Sequence, residues 1–129
     1  MLMKGHLEVY KHIANQIENM VTIQDSTGRA PIHYAVAGGH LEVVKYILDS
    51  KPNDTNLKDD EGRMPIHLAC LFGHYEMCLV LLDHGSDPNS KDNDGTSAIG
   101  LCRGKYLRKS IQKHMKKLRK SKRIKLETL

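Results

Sequence analysis

The sequence predicts an all-α solenoid of helix-turn-helix units joined by short hairpin turns, and three observations predict it. One segment recurs along the 129-residue chain at a spacing of 33 to 34 residues. Each recurrence carries a turn followed by two short stretches with helical spacing. The composition is globular, 40% hydrophobic and 27% charged, but only 5% aromatic with no Trp and Phe72 as its single Phe. A core must therefore be assembled from Leu, Ile, Val, Met and Ala, a set that favours helices. A unit of about 34 residues cannot bury its apolar face alone, whereas stacked units bury it on one another. At 14.6 kDa the chain has room for one domain, which excludes a large multidomain enzyme.

The chain opens on part of a unit, residues 1–24, where Gly5-His6-Leu7-Glu8-Val9-Tyr10-Lys11 aligns with Gly39-His40-Leu41-Glu42-Val43-Val44-Lys45. Met1 to Lys4 leave no room for that unit's first helix. Leu7, Tyr10, Ile13 and Ala14 are then expected on an open apolar flank, unless Leu2 and Met3 cover it. Either the chain is a segment of a longer array, or this flank is a surface for self-association.

The first full unit, residues 25–58, begins Asp25-Ser26-Thr27-Gly28-Arg29-Ala30-Pro31-Ile32-His33-Tyr34-Ala35. The second, residues 59–91, begins Asp59-Asp60-Glu61-Gly62-Arg63-Met64-Pro65-Ile66-His67-Leu68-Ala69. Pro31 and Pro65 suit a first helical turn, where the missing N–H costs nothing. Ile32, Ala35 and Val36 mark a first helix, and Leu41, Val44, Ile47 and Leu48 a second. Small Ala35 and Ala69 let the two helices approach. Gly39, Gly73 and Gly85 suit left-handed residues that end helices, and Gly28, Gly62 and Gly95 suit the tight turns between units. The first unit carries one extra residue, around Lys51-Pro52-Asn53-Asp54. A capping unit, residues 92–115, starts at Asp92-Asn93-Asp94-Gly95, with Ala98 and Gly100 where earlier units have Pro and His. From Tyr106 the spacing of Leu107, Ile111, Met115 and Leu118 predicts a long helix whose first half closes the solenoid. Residues 116–129 are read as a basic tail.

These residues resemble the ankyrin-repeat family, whose signature reads D-x-x-G-x-T-P-L-H-x-A, then G-H-x-E-V-V and L-L-x-x-G-A-D-x-N. The likeness extends to about Met115. It departs at Ala30 and Met64, which replace the family's Thr and remove the hydroxyl bond to the motif His. The resemblance implies a non-catalytic adaptor or scaffold that binds another protein on a concave face built from turn tips and first-helix ends. Carried over by position, the partner-binding residues are Arg29, Asp60, Glu61, Arg63, Leu71, Phe72, Lys91, Asn93 and Asp94. Phe72 reads either as an exposed interface residue beside Arg63 or as packing folded over a helix end.

The sequence offers little to catalysis. It has no nucleotide loop, nucleophile elbow or metalloprotease motif, and no cofactor or small-molecule substrate is expected. Cys70-x3-His74-x3-Cys78 has a metal-like spacing. Its His recurs at His40, however, and Gly73 interrupts the helix, so the three side chains are not expected on one face. Three cysteines make no disulfide framework, and no apolar run near the N-terminus suggests a leader or a span. A cytoplasmic or nuclear protein is expected.

The net charge of +5 divides unevenly. Residues 1–102 hold 8 Lys and Arg against 14 Asp and Glu, while residues 103–129 hold 12 against Glu127 alone. Lys116, Lys117, Arg119, Lys120, Lys122 and Arg123 form a basic cluster of the kind that serves nuclear import or polyanion binding. An import receptor, nucleic acid, an anionic membrane contacted with Ile124 and Leu126, or a merely solvated helix face all fit this run. The alternative functional class is accordingly a nuclear protein associated with nucleic acid or chromatin through its tail.

Overall fold

The computed structural model describes Glu8 and residues 24–127, with side chains through Lys122. The leading partial unit and its apolar flank lie outside the described residues, as does the side chain of Arg123. Over residues 24–127, six α-helices follow in order: α1 (Pro31–Ala37), α2 (Leu41–Ser50), α3 (Pro65–Phe72), α4 (Tyr75–Asp83), α5 (Ala98–Leu101) and α6 (Lys105–Glu127). There is no β-strand among the described residues. The first helices stack as an inner layer, α1 on α3 on α5, and the second helices α2, α4 and α6 form an outer layer behind them. This is the helix-turn-helix solenoid that the period predicted.

Each unit opens on a hairpin organised by its aspartate. Asp59 Oδ1 accepts from the N–H groups of Glu61 and Arg63, both at 2.9 Å. Asp25 does the same for Thr27 and Arg29, and Asp92 for Asp94 and Thr96. The side chain thus satisfies the donors of a turn whose third residue after Asp is a left-handed glycine. In the two full units a helix then starts at proline. His33 and His67, two residues further on, accept from the N–H groups of Ala30 and Met64, each at 3.0 Å. The ring therefore caps the helix through backbone alone, without the hydroxyl that Ala30 and Met64 lack.

Gly39, Gly73 and Gly85 all adopt positive φ, and each ends a helix with a pair of reversed hydrogen bonds. At Gly39, for example, His40 N–H donates to Ala35 O at 2.9 Å and Gly39 N–H to Val36 O at 3.1 Å. The extra residue of the first unit is absorbed by a 3-10 helix, Pro52–Asn56. Between the layers lies a core of Ile32, Val36, Val44, Leu48, Ile66, Leu68 and Leu81, all essentially inaccessible. Ala69 is fully buried in α3, a helix packed against α1, α4 and α5. Ala69→Leu is expected to overpack the core there and lower stability by about 1 to 3 kcal/mol. Unchanged urea unfolding would contradict that close packing.

Two features add to what the spacing predicts. Gly73 does end α3, but the reversal it makes lays α4 back along α3, so Cys70 and Cys78 meet with their Sγ atoms 3.9 Å apart. The two thiols share one buried interface; His74 instead points to the neighbouring unit. Burial and the adjoining sulfur hold the Cys70 thiol protonated. At the other end, α6 runs unbroken from Lys105 to Glu127, the long helix that the spacing of Leu107, Ile111, Met115 and Leu118 predicts. Ile111 is fully buried, and Leu107, Met115 and Leu118 also pack on the core, so the first turn of the basic segment still belongs to the capping helix. Beyond it the packing opens into a cleft of about 200 Å³ between Leu82–Pro88 and α6.

Candidate docking face

The hairpin tips of successive units are tied to one another. Asp60 N–H donates to Thr27 O at 3.0 Å, Asn93 N–H to Glu61 O at 2.9 Å, and Asn93 Nδ2 to Asp60 O at 2.9 Å. Gln24 extends the same pattern to Lys58 O. The tips therefore form one braced edge. Two cations lie along it, both half-buried: the Arg63 guanidinium is 3.3 Å from Glu61, and Arg29 is 3.7 Å from the buried Asp59. Of the residues carried over by resemblance, Arg29, Asp60, Glu61, Arg63, Asn93 and Asp94 are brought together on this edge, and Lys91 is exposed at the root of the last hairpin. Asn93 works mainly as a link between units, since its amide is spent on Asp60.

Leu71 and Phe72 lie elsewhere. They end α3, a helix of 8 residues, and so stand about 12 Å along its axis from the hairpin edge. Leu71 is half-buried, whereas Phe72 is 54% exposed. Its ring lies 6.3 Å from that of His74, tilted by 32°. His74 Nε2 in turn sits 3.1 Å from Ala37 O of the preceding unit, a tie that fixes this corner. The sequence did not single out Tyr34, a second exposed aromatic on the inner layer, at 51%. Its hydroxyl donates to the Asp25 carboxylate, and the Arg29 guanidinium lies over its ring at 5.8 Å. That hydrogen bond, helped by Thr27, holds the Asp25 carboxyl well below the usual carboxylate range. The signal available was the register: Tyr34 occupies the position of Leu68, where an aromatic with a polar tip departs from the repeat.

His33 carries a contact between units. His33 Nε2 reaches Leu57 O at 3.0 Å and Arg63 O at 3.1 Å, so the ring joins its own helix start to the next hairpin. His67 makes only the first half of this pattern. Its Nε2 lies near the backbone of Ser90 and Thr96 without closing a well-formed hydrogen bond. Burial lowers the His67 pKa below the ordinary 6.5, partly countered by those carbonyls and by Asp92. The folded ring is thus neutral where the unfolded one begins to protonate. The stability it contributes is complete above the unfolded pKa and is lost as pH falls toward the folded value. An NMR titration is expected to show His67 protonating below its ordinary pKa, and a ring titrating at or above that value would contradict the burial.

Lys116, Lys117, Arg119, Lys120 and Lys122 are all exposed on α6. No described group of three or more His, Cys, Asp or Glu side chains could hold a metal ion. No described helix is long and apolar enough to cross a membrane.

A family model described as ankyrin repeats, three copies, matches residues 1–92. No curated protein matches the chain. The matched region holds both full units and stops at the start of the capping hairpin, so α5 and α6 are assigned to the array by their packing on α3 and α4. With the braced hairpins, the proline-started inner helices and the family match over most of its length, the chain belongs to the ankyrin-repeat family, whose members are in general protein-binding modules.

Proposed function

We propose that the protein is a non-catalytic adaptor, working in the cytoplasm or nucleus, that docks a partner protein on the concave face formed by the inner helices and the hairpin edge. The observation that carries this reading is Phe72. A large apolar ring kept 54% exposed at the end of an inner helix contributes less to folding than a buried one would. It has the character of residues that dominate interfaces, namely an aromatic with little rotamer entropy to lose. The half-buried Leu71 extends its apolar surface, and Arg63 and Glu61 supply a polar margin at the hairpin end of the same helix.

Phe72→Ala is expected to weaken partner binding by about 1 to 3 kcal/mol while leaving chemical unfolding almost unchanged. Affinity capture with the intact chain, with Phe72→Ala and with Lys45→Ala on the outer layer would test this. Proteins lost with the first variant and kept with the second are partners of the concave face. An identical capture profile for all three, or a stability loss at Phe72 with binding intact, would sink the reading.

A further inference from the structure

The outer side of α6 carries a dense row of basic side chains, and the concave-face reading makes no use of it. At about 100° per residue, Lys105, Lys109, Lys113, Lys116 and Lys120 fall within about 80° of arc along some 22 Å of helix. All five are exposed, and none is in an ion pair with another described residue. Arg108 and Arg119 border the stripe on one side and Lys117 on the other. The opposite side of the helix, around Ile111, is packed on the core. The stripe is held in one orientation by that packing, and the side chain of His114 adds a contact of 2.7 Å to Asp83.

The geometry points to double-stranded DNA as the partner of this stripe, gripped by its phosphate backbone without reading of base sequence. A protein partner would need an apolar centre, and interfaces between proteins are depleted in lysine; the stripe has no apolar side chain. A membrane-bound amphipathic helix inserts its apolar face, but here that face is used up inside the solenoid. Single-strand platforms stack bases on successive aromatics, and the described part of α6 has only Tyr106, at the stripe's edge. A helix about 10 to 12 Å across fits the mouth of the B-form major groove, about 12 Å wide, but not the deep and narrow groove of an RNA duplex. Seated there, the five lysines reach the phosphates along the groove's edges, and Arg108, Arg119 and Lys117 flank them. Lysine rather than arginine along the centre suits point-charge attraction to phosphate over bidentate recognition. The rest of the chain repels DNA, because residues 1–102 hold 8 basic against 14 acidic side chains, so the polymer is steered onto α6.

The test is a binding titration of the intact chain with a 20-base-pair DNA of arbitrary sequence. Five phosphate contacts at a slope of about −0.9 each predict roughly 500-fold weaker binding between about 50 and 200 mM salt. Changing the five lysines together, Lys105→Gln, Lys109→Gln, Lys113→Gln, Lys116→Gln and Lys120→Gln, is expected to remove most of that salt dependence. Lys45→Gln is expected to leave it unchanged, and arginine at the five stripe positions should keep it. Circular dichroism of each variant separates a lost contact from a lost helix. The proposal fails if the glutamine variant stays helical and binds DNA with the original salt slope. It also fails if RNA duplexes, anionic vesicles or polyglutamate bind as tightly as DNA at the same salt.

Discussion

His33→Ala is expected to destabilise the fold by about 3 to 4 kcal/mol, enough to leave a repeat protein of this size largely unfolded under mild denaturant. The ring is wholly inaccessible and serves three backbone groups from two units. Its Nδ1 accepts from Ala30 N–H at 3.0 Å, and its Nε2 lies at 3.0 and 3.1 Å from Leu57 O and Arg63 O. Because Nδ1 accepts, the proton of the neutral ring sits on Nε2 and is shared by the two carbonyls. Alanine leaves the buried Ala30 N–H without an acceptor, worth about 1 to 3 kcal/mol, and adds the cavity of an imidazole between the layers. His74→Ala makes the comparison, since that half-buried ring gives up one contact to Ala37 O and about 1 kcal/mol is expected. Urea unfolding of both variants checks the ranking. Equal losses would mean that the bridge from α1 to the next hairpin does not hold the units together.

The parts of this architecture that are local and repeated could be read from residues alone. Proline at the helix start, glycine at the left-handed ends and the small Ala69 each have a physical reason that acts within a few residues, and the 34-residue recurrence multiplied the signal. What escaped depends on neighbours. The recurring aspartate was visible, but its role as acceptor for two turn donors follows only from the turn's shape. Cys70, His74 and Cys78 do not share one face, as the break at Gly73 implied, but that the reversal at Gly73 brings the two sulfurs together follows only from the fold. Tyr34 and Leu68 hold the same register position with 51% and 2% exposure, a difference that the repeat alone does not carry. The long helix through Leu118 was legible from its apolar spacing; that Leu118 still finds the core, and holds the start of the basic segment there, follows only from the packing.

Substituting Gly62 by alanine is the second large effect expected, about 2 to 4 kcal/mol, and Gly95→Ala calibrates it. Both glycines sit in the left-handed region, with φ of 76° and 78°, so both substitutions carry the same backbone strain of about 1 to 2 kcal/mol. Their surroundings differ. A Cβ on Gly62 would lie 2.3 Å from Asn93 Oδ1 and 2.8 Å from Asn93 N, whereas a Cβ on Gly95 meets nothing within 4 Å. Asn93 cannot simply swing away, since its backbone N–H is bonded to Glu61 O and its side-chain amide to Asp60 O. Relieving the clash therefore parts the two hairpin tips and breaks the bonds that join the units along that edge. The excess loss at Gly62 over Gly95, read from chemical unfolding of the two variants, measures what that junction contributes. Adding Asn93→Ala to Gly62→Ala removes the closest atom but not the backbone nitrogen, so it should restore only part of the excess. Identical losses at Gly62 and Gly95 would show that the tips do not press against one another, and the braced edge offered to a partner would then be a row of independent turns.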